Sequence, residues 1–97
     1  MTVDPARLKP GKTRDDVIAA LQAEGVPEVF AGWGAPVYGQ KLWNIPPRDY
    51  RIHSGATIEA IINHRIMLFS LMWLMAGEPA LHRLVEALAK VMKEYAR

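Results

Sequence analysis

At 97 residues and 10.9 kDa the chain is one domain, residues 1–97; at this size about 60–65% of the unfolded surface is buried, too little for two cores. Hydrophobic residues at 51% and charged residues at 23% exclude a disordered or collagen-like chain, and the +2 net charge, scattered along the sequence, lacks the clustered basic face that nucleic acid selects. The absence of cysteine removes disulfides, thiolate nucleophiles and Cys-based metal sites and points to the cytoplasm, and neither a signal peptide nor an apolar run of about 18 residues that could span a membrane is present.

In chain order, Thr13 is the predicted cap of a first helix over 13–24. Asp15 and Asp16 lie in its first turn, at the positive end of the dipole, and Val17, Ile18 and Leu21 share one face. Gly25 ends it, with Pro27 beyond. Eight of the fourteen Gly and Pro residues fall from Gly25 to Pro47, which forbids a long helix there. A strand over 28–33 precedes this loop, and it needs a second strand to satisfy its backbone groups.

After Ser54, a predicted cap, Ile58, Ile61 and Ile62 are helically spaced and predict a helix over 55–64. The run Ile66-Met67-Leu68-Phe69-Ser70-Leu71-Met72-Trp73-Leu74-Met75 is apolar apart from Ser70 and reads in two ways. It continues the helix, or it holds a buried strand near 66–71; periodicity does not separate these, and the need of the first strand for a partner favours the second. The last helix, 78–96, opens with Pro79 in its first turn. Leu81, Leu84, Val85, Leu88, Val91, Met92 and Tyr95 recur on one face, His82, Arg83, Glu86, Lys90 and Lys93 on the other. The expectation is an α+β domain: a small antiparallel sheet with three helices packed on it.

The residues alone carry little chemistry. Lys9, Lys12, Lys41, Lys90 and Lys93 lie in polar settings, unlike a Schiff-base lysine, which needs burial or a neighbouring cation. His53, His64 and His82 lack the spacing that puts two ligands on one helical face, so neither metal ligands nor catalytic residues are expected. Arg7, Lys9, Lys12 and Arg14 form a basic cluster suited to a phosphate or to plain solvation. Trp33, Tyr38 and Trp43, interleaved with glycines, suit the face of a sugar ring; the competing reading has Trp33 and Trp43 plugging the core among Val17, Leu21 and Leu84.

Three segments together carry a family likeness: Asp4-Pro5-Ala6; Thr13-Arg14-Asp15-Asp16-Val17-Ile18-Ala19-Ala20-Leu21-Gln22-Ala23-Glu24-Gly25-Val26-Pro27; and Gly32-Trp33-Gly34-Ala35-Pro36-Val37-Tyr38-Gly39-Gln40-Lys41-Leu42-Trp43. They resemble the C-terminal small domain of the pyridoxal-phosphate sugar aminotransferases of the DegT/DnrJ/StrS type, a strand ending in Asp-Pro, a helix of the form (S/T)RDxxIxALxAEG(I/V)P and a loop of the form GYxxPLYxQPLW. Departures are the His53-Ser54-Gly55-Ala56 run in place of a Cys-Pro pair, Trp33 in place of the loop tyrosine, and Leu71-Met72 in place of a Leu-Pro strand end.

The resemblance implies the small domain of a fold-type I enzyme, with the loop of Trp33 and Tyr38 reaching a substrate cleft. Pyridoxal phosphate and its lysine belong to a large domain, so no cofactor-binding residue is expected in this chain. The implied role is to supply substrate-cleft and interface residues for amino transfer to a keto-sugar without catalysis by the chain alone. The alternative is a non-catalytic α+β interaction module. Either way a partner is expected, the large domain, another chain, or a second copy through the apolar 66–75 surface, and not nucleic acid or membrane.

Overall fold

Helix α1 spans Arg14–Ala23 in a computed structural model that describes residues 1–42 and 44–97. Its start is a reciprocal cap. The Thr13 hydroxyl accepts the Asp16 amide at 3.3 Å, and the Asp16 carboxylate accepts the Thr13 amide at 2.8 Å, so exposed first-turn donors are satisfied. The end is equally specific: the amide of Gly25 donates to the Gln22 carbonyl and that of Val26 to Leu21, both at 3.0 Å. This closure needs a left-handed residue, and Gly25 supplies it at φ +86.

Strand β1, Val29–Phe30, pairs antiparallel with β2, Leu68–Phe69, in the register Val29 to Phe69 and Phe30 to Leu68. The second strand is therefore present, and the alternative of one helix through 56–75 is not. Both strands are shorter than expected. Gly32, at φ +90, turns the chain away after β1, and a turn in which the Trp73 amide donates to Ser70 ends β2. The N-terminal residues pair with the segment just before β2 through an isolated bridge: Thr2 pairs with Ile66, with Val3 N to Arg65 O at 2.8 Å and Met67 N to Met1 O at 2.9 Å.

The middle helix corrects the sequence in two ways. Helix α2, Gly55–Ala60, runs into a wider π turn, Ile61–Arg65, closed by the Ile66 amide on the Ile61 carbonyl at 2.8 Å. Ser54 does not cap it with its side chain. Its backbone is left-handed at φ 55, and its carbonyl takes the amides of Thr57 and Ile58 instead. A fourth, unforeseen helix, α3, covers Met72–Met75, the half of the apolar run not used by the strand. Helix α4, Glu78–Tyr95, begins with Pro79 in its first turn as expected.

The core comprises Val17, Ile18 and Leu21 of α1, Val29, Met67 and Val91, with Val3, Leu8 and Val26 closing its edges. Leu84, Leu88, Met92 and Tyr95 of α4 pack against it. Val85 does not, being 62% exposed: it sits about 100° around the helix from Leu84, and α4 turns the Leu84–Val91 side inward. Helix α2 contributes no buried residue, so it is not packed on the sheet as expected. The molecule is a slab of 50 × 34 × 18 Å with a radius of gyration of 16.1 Å, against about 13 Å for a compact chain of this length. Its accessible surface is 7220 Å², about 1,600 Å² above the ~5,600 Å² expected for this mass. Among the described residues no helix is long and apolar enough to cross a membrane.

Candidate functional site

One long segment stands outside the core as an arm. Among the described residues from Phe30 to Ile66 none is buried, and the segment holds itself together by local contacts. A turn over Val37–Gly39 follows Pro36, whose carbonyl accepts the Gly39 amide at 2.9 Å. The Gln40 side-chain amide donates back to the Ala35 carbonyl at 2.7 Å and to that of Trp33 at 3.4 Å, so one side chain folds the loop on itself. Gly34, at φ +77 with open space where a Cβ would stand, makes the bend between Trp33 and this turn.

Both predicted substrate-contact residues lie on this arm. Trp33 is 80% exposed, which removes the reading that it plugs the core among Val17, Leu21 and Leu84. Trp43, the other half of that reading, lies outside the described residues. Tyr38 is half-buried, and its hydroxyl donates to Glu59 Oε1 at 3.2 Å. Partial desolvation, then the charge and hydrogen bond of Glu59, raise the phenol above its ordinary 10.0. At neutral pH Tyr38 is therefore a neutral donor committed to a carboxylate. The arm thus offers an open indole face, a second aromatic ring held in place, and a carboxylate able to accept from hydroxyl groups. These are groups suited to binding a polyhydroxylated ligand.

Gln40 and Glu59 were not singled out from sequence. Glu59 lies 21 positions from Tyr38, and nothing in a linear pattern links them. The basic cluster is also resolved differently from the phosphate reading. Arg7 pairs with Asp4 at 4.0 Å, Lys9 with Glu94 at 3.8 Å, and the Lys12 ammonium stands 5.0 Å from the Tyr95 ring centroid. Arg14 is buried at 7% exposure and gives Nη1 to the carbonyls of Ile62 at 2.7 Å and Ile66 at 3.3 Å, while Asp15 takes Nη2 at 2.8 Å. A cleft of about 330 Å³ does lie beside Lys12, Arg14, Asp15, His64 and Arg65, yet its central guanidinium is spent on backbone and carboxylate.

The remaining candidates are surface groups. His53 and His64 are exposed, and His82 lies 3.4 Å from Glu78 one turn earlier on α4. No cluster of metal-ligating side chains occurs among the described residues. All five lysines are exposed, and Lys90 is paired with Glu24 at 2.7 Å. None has the buried setting of a Schiff-base lysine. Comparison with protein-family models, curated proteins and solved structures finds no match.

Proposed function

We propose that this chain acts as the small domain of a pyridoxal-phosphate-dependent sugar aminotransferase of the DegT/DnrJ/StrS type, with the fold of the fold-type I small domain. It docks on a large domain that carries the cofactor and closes the substrate cleft with Trp33 and Tyr38. The observation that supports this is the arm. It exposes Trp33, Val37, Leu42, Ile45, Ile52 and Ile58 without a core of its own, in the region that includes the loop of the family likeness. An apolar surface of this extent is the signature of a docking face. In that setting Trp33 stacks on the sugar ring and Tyr38, steadied by Glu59, forms the second wall; cofactor chemistry stays with the large domain.

The test is reconstitution. A sugar aminotransferase large domain, stripped of its own small domain, is joined to this chain, and amino transfer to a nucleotide keto-sugar is measured. Turnover that appears on joining and falls about tenfold or more on Tyr38→Ala supports the reading. Association without turnover selects the second reading, a non-catalytic interaction module, which the uncovered side chains of α3 favour. Failure to associate removes the aminotransferase reading.

A further inference from the structure

The cleft of about 330 Å³ at the start of α1 keeps donors that the fold does not use. Arg14, 7% exposed, gives Nη1 to the carbonyls of Ile62 and Ile66, and its Nε and Nη2 share Asp15 Oδ1 at 2.9 and 2.8 Å. Nη2 carries two N–H groups and one oxygen takes one of them, so the other has no acceptor among the described residues. Buried donors are satisfied in folded proteins, and this one belongs to a side chain that lines the cleft. A water molecule would answer that donor alone; the rest of the cleft calls for charge. Lys12, His64 and Arg65 line it, and none of them makes an ion pair among the described residues. Asp16, the carboxylate on which Lys12 acts, is turned to the Thr13 cap. The amides of Arg14 and Asp15, in the first turn of α1, have no helical acceptor and add two donors at the positive end of its dipole.

We propose that this cleft binds a small phosphorylated polyol, in class a sugar phosphate. Charge selects the phosphate. Lys12, Arg14 and Arg65 against Asp15 leave the lining at +2 with His64 neutral, and a phosphate monoester carries about −1.5 to −2 at neutral pH. Shape selects it over a carboxylate. The donors come from the start of α1 on one side and from the π turn on the other, which a tetrahedral group with three terminal oxygens meets and a planar group with two does not. The acceptors set the remainder of the ligand. The cleft falls within the range of about 300–1,000 Å³ usual for small-molecule sites and has room for more than the phosphate. Asp15 Oδ2, the oxygen that Arg14 leaves, and the Asn63 amide oxygen accept hydroxyl groups. Pro5 and Ala60 supply a short apolar wall for the C–H face of a ring. Neither Trp33 nor Tyr38 takes part, so the site stands or falls apart from the aminotransferase reading.

The test is a titration of the isotope-labelled chain with ribose 5-phosphate, followed by amide NMR at about 0.1 M salt, where loose surface attraction is screened. The amides of Arg14, Asp15, Asn63 and His64 are expected to shift together and to saturate. Ribose is expected not to bind, and inorganic phosphate to bind at least about threefold more weakly than the sugar phosphate, because it brings no hydroxyl chain to Asp15 and Asn63. Arg65→Gln and Lys12→Gln, both at exposed positions, are each expected to weaken binding by about threefold to tenfold. Asp15→Asn separates the site from a plain basic patch. It removes a like charge, which tightens inorganic phosphate, and it turns the free Oδ2 into a donor, which narrows the preference for the sugar phosphate. Shifts that fail to saturate, shifts of the same size around Lys90 and Lys93, equal affinity for the two phosphates, binding indifferent to both Gln variants, or a preference unchanged by Asp15→Asn overturns the proposal.

Discussion

The Tyr38 hydroxyl donates to Glu59 Oε1 at 3.2 Å, tying the turn that follows Pro36 to helix α2. Without this bond the arm would have one side-chain link fewer between two segments that contribute nothing to the core. It also fixes the aromatic ring without burying it, which leaves the ring available to a ligand.

The bond carries a pH dependence with a definite sign. The Tyr38 phenol is raised above 10.0 by partial desolvation and by Glu59, so its contribution is fully present below 10 and is lost as pH rises through the shifted value. Phenolate absorbance is expected to show a late-titrating component that Tyr38→Phe removes and Glu59→Gln brings earlier. A titration curve that loses an early component instead would contradict the assignment.

The α1 cap depends on pH in the opposite direction. Hydrogen bonds from the Thr13 hydroxyl and then the Thr13 amide hold Asp16 below its ordinary 3.8. The stabilisation is therefore present above that value and disappears as pH falls through the lowered one. Asp16→Asn is expected to lower the melting temperature at neutral pH and to make no difference in acid. Thr13→Ala, which removes the reciprocal partner, is expected to cost about 1 kcal/mol.

The two contacts mark where a linear reading succeeds, at the Thr13–Asp16 cap, and where it fails, at the Tyr38–Glu59 bond. Thr13 and Asp16 act within one helical turn of each other and Gly25 within one turn of Leu21 and Gln22, so the cap, the helix and its end follow from local chemistry alone. The strand near 66–71 was legible for another reason: β1 required a partner, and the apolar run was the available one. The Tyr38–Glu59 bond and the position of Val85 depend on how distant segments pack, which no period records. Ser54 misled because a left-handed backbone turns a good capping side chain away from the helix it precedes. Within the basic cluster Arg7, Lys9 and Lys12 are exposed, whereas Arg14, although charged, stands at the first helical position and faces the Ile62 and Ile66 carbonyls, a long-range contact that the sequence does not record.

Arg14 is accordingly expected to be a folding residue. It is 7% exposed and satisfies the Ile62 and Ile66 carbonyls, with an exposed Asp15 as counter-ion. Arg14→Met would leave both carbonyls unpaired next to α1, a loss of about 2–3 kcal/mol. Denaturant unfolding measures it. A loss under about 0.5 kcal/mol would place the guanidinium outside the fold's essential contacts and return it to the cleft as a free cation.

Trp33 is expected to behave in the opposite manner. At 80% exposure its indole adds little to the monomer, so Trp33→Ala should change stability by no more than about 0.5 kcal/mol. Its importance would lie in recognition, since an indole face covering a sugar ring brings apolar contact that alanine does not replace. In the joined aminotransferase, Trp33→Ala is expected to raise KM for the nucleotide sugar more than it lowers kcat, because stacking on a ring remote from the reacting carbon acts nearly equally on ground and transition states. Trp33→Tyr, which restores the tyrosine of the family loop, should recover most of the lost affinity. If Trp33→Ala melts early, the indole is a packing residue; if KM is unmoved while the domain stays folded, the arm docks without touching the substrate.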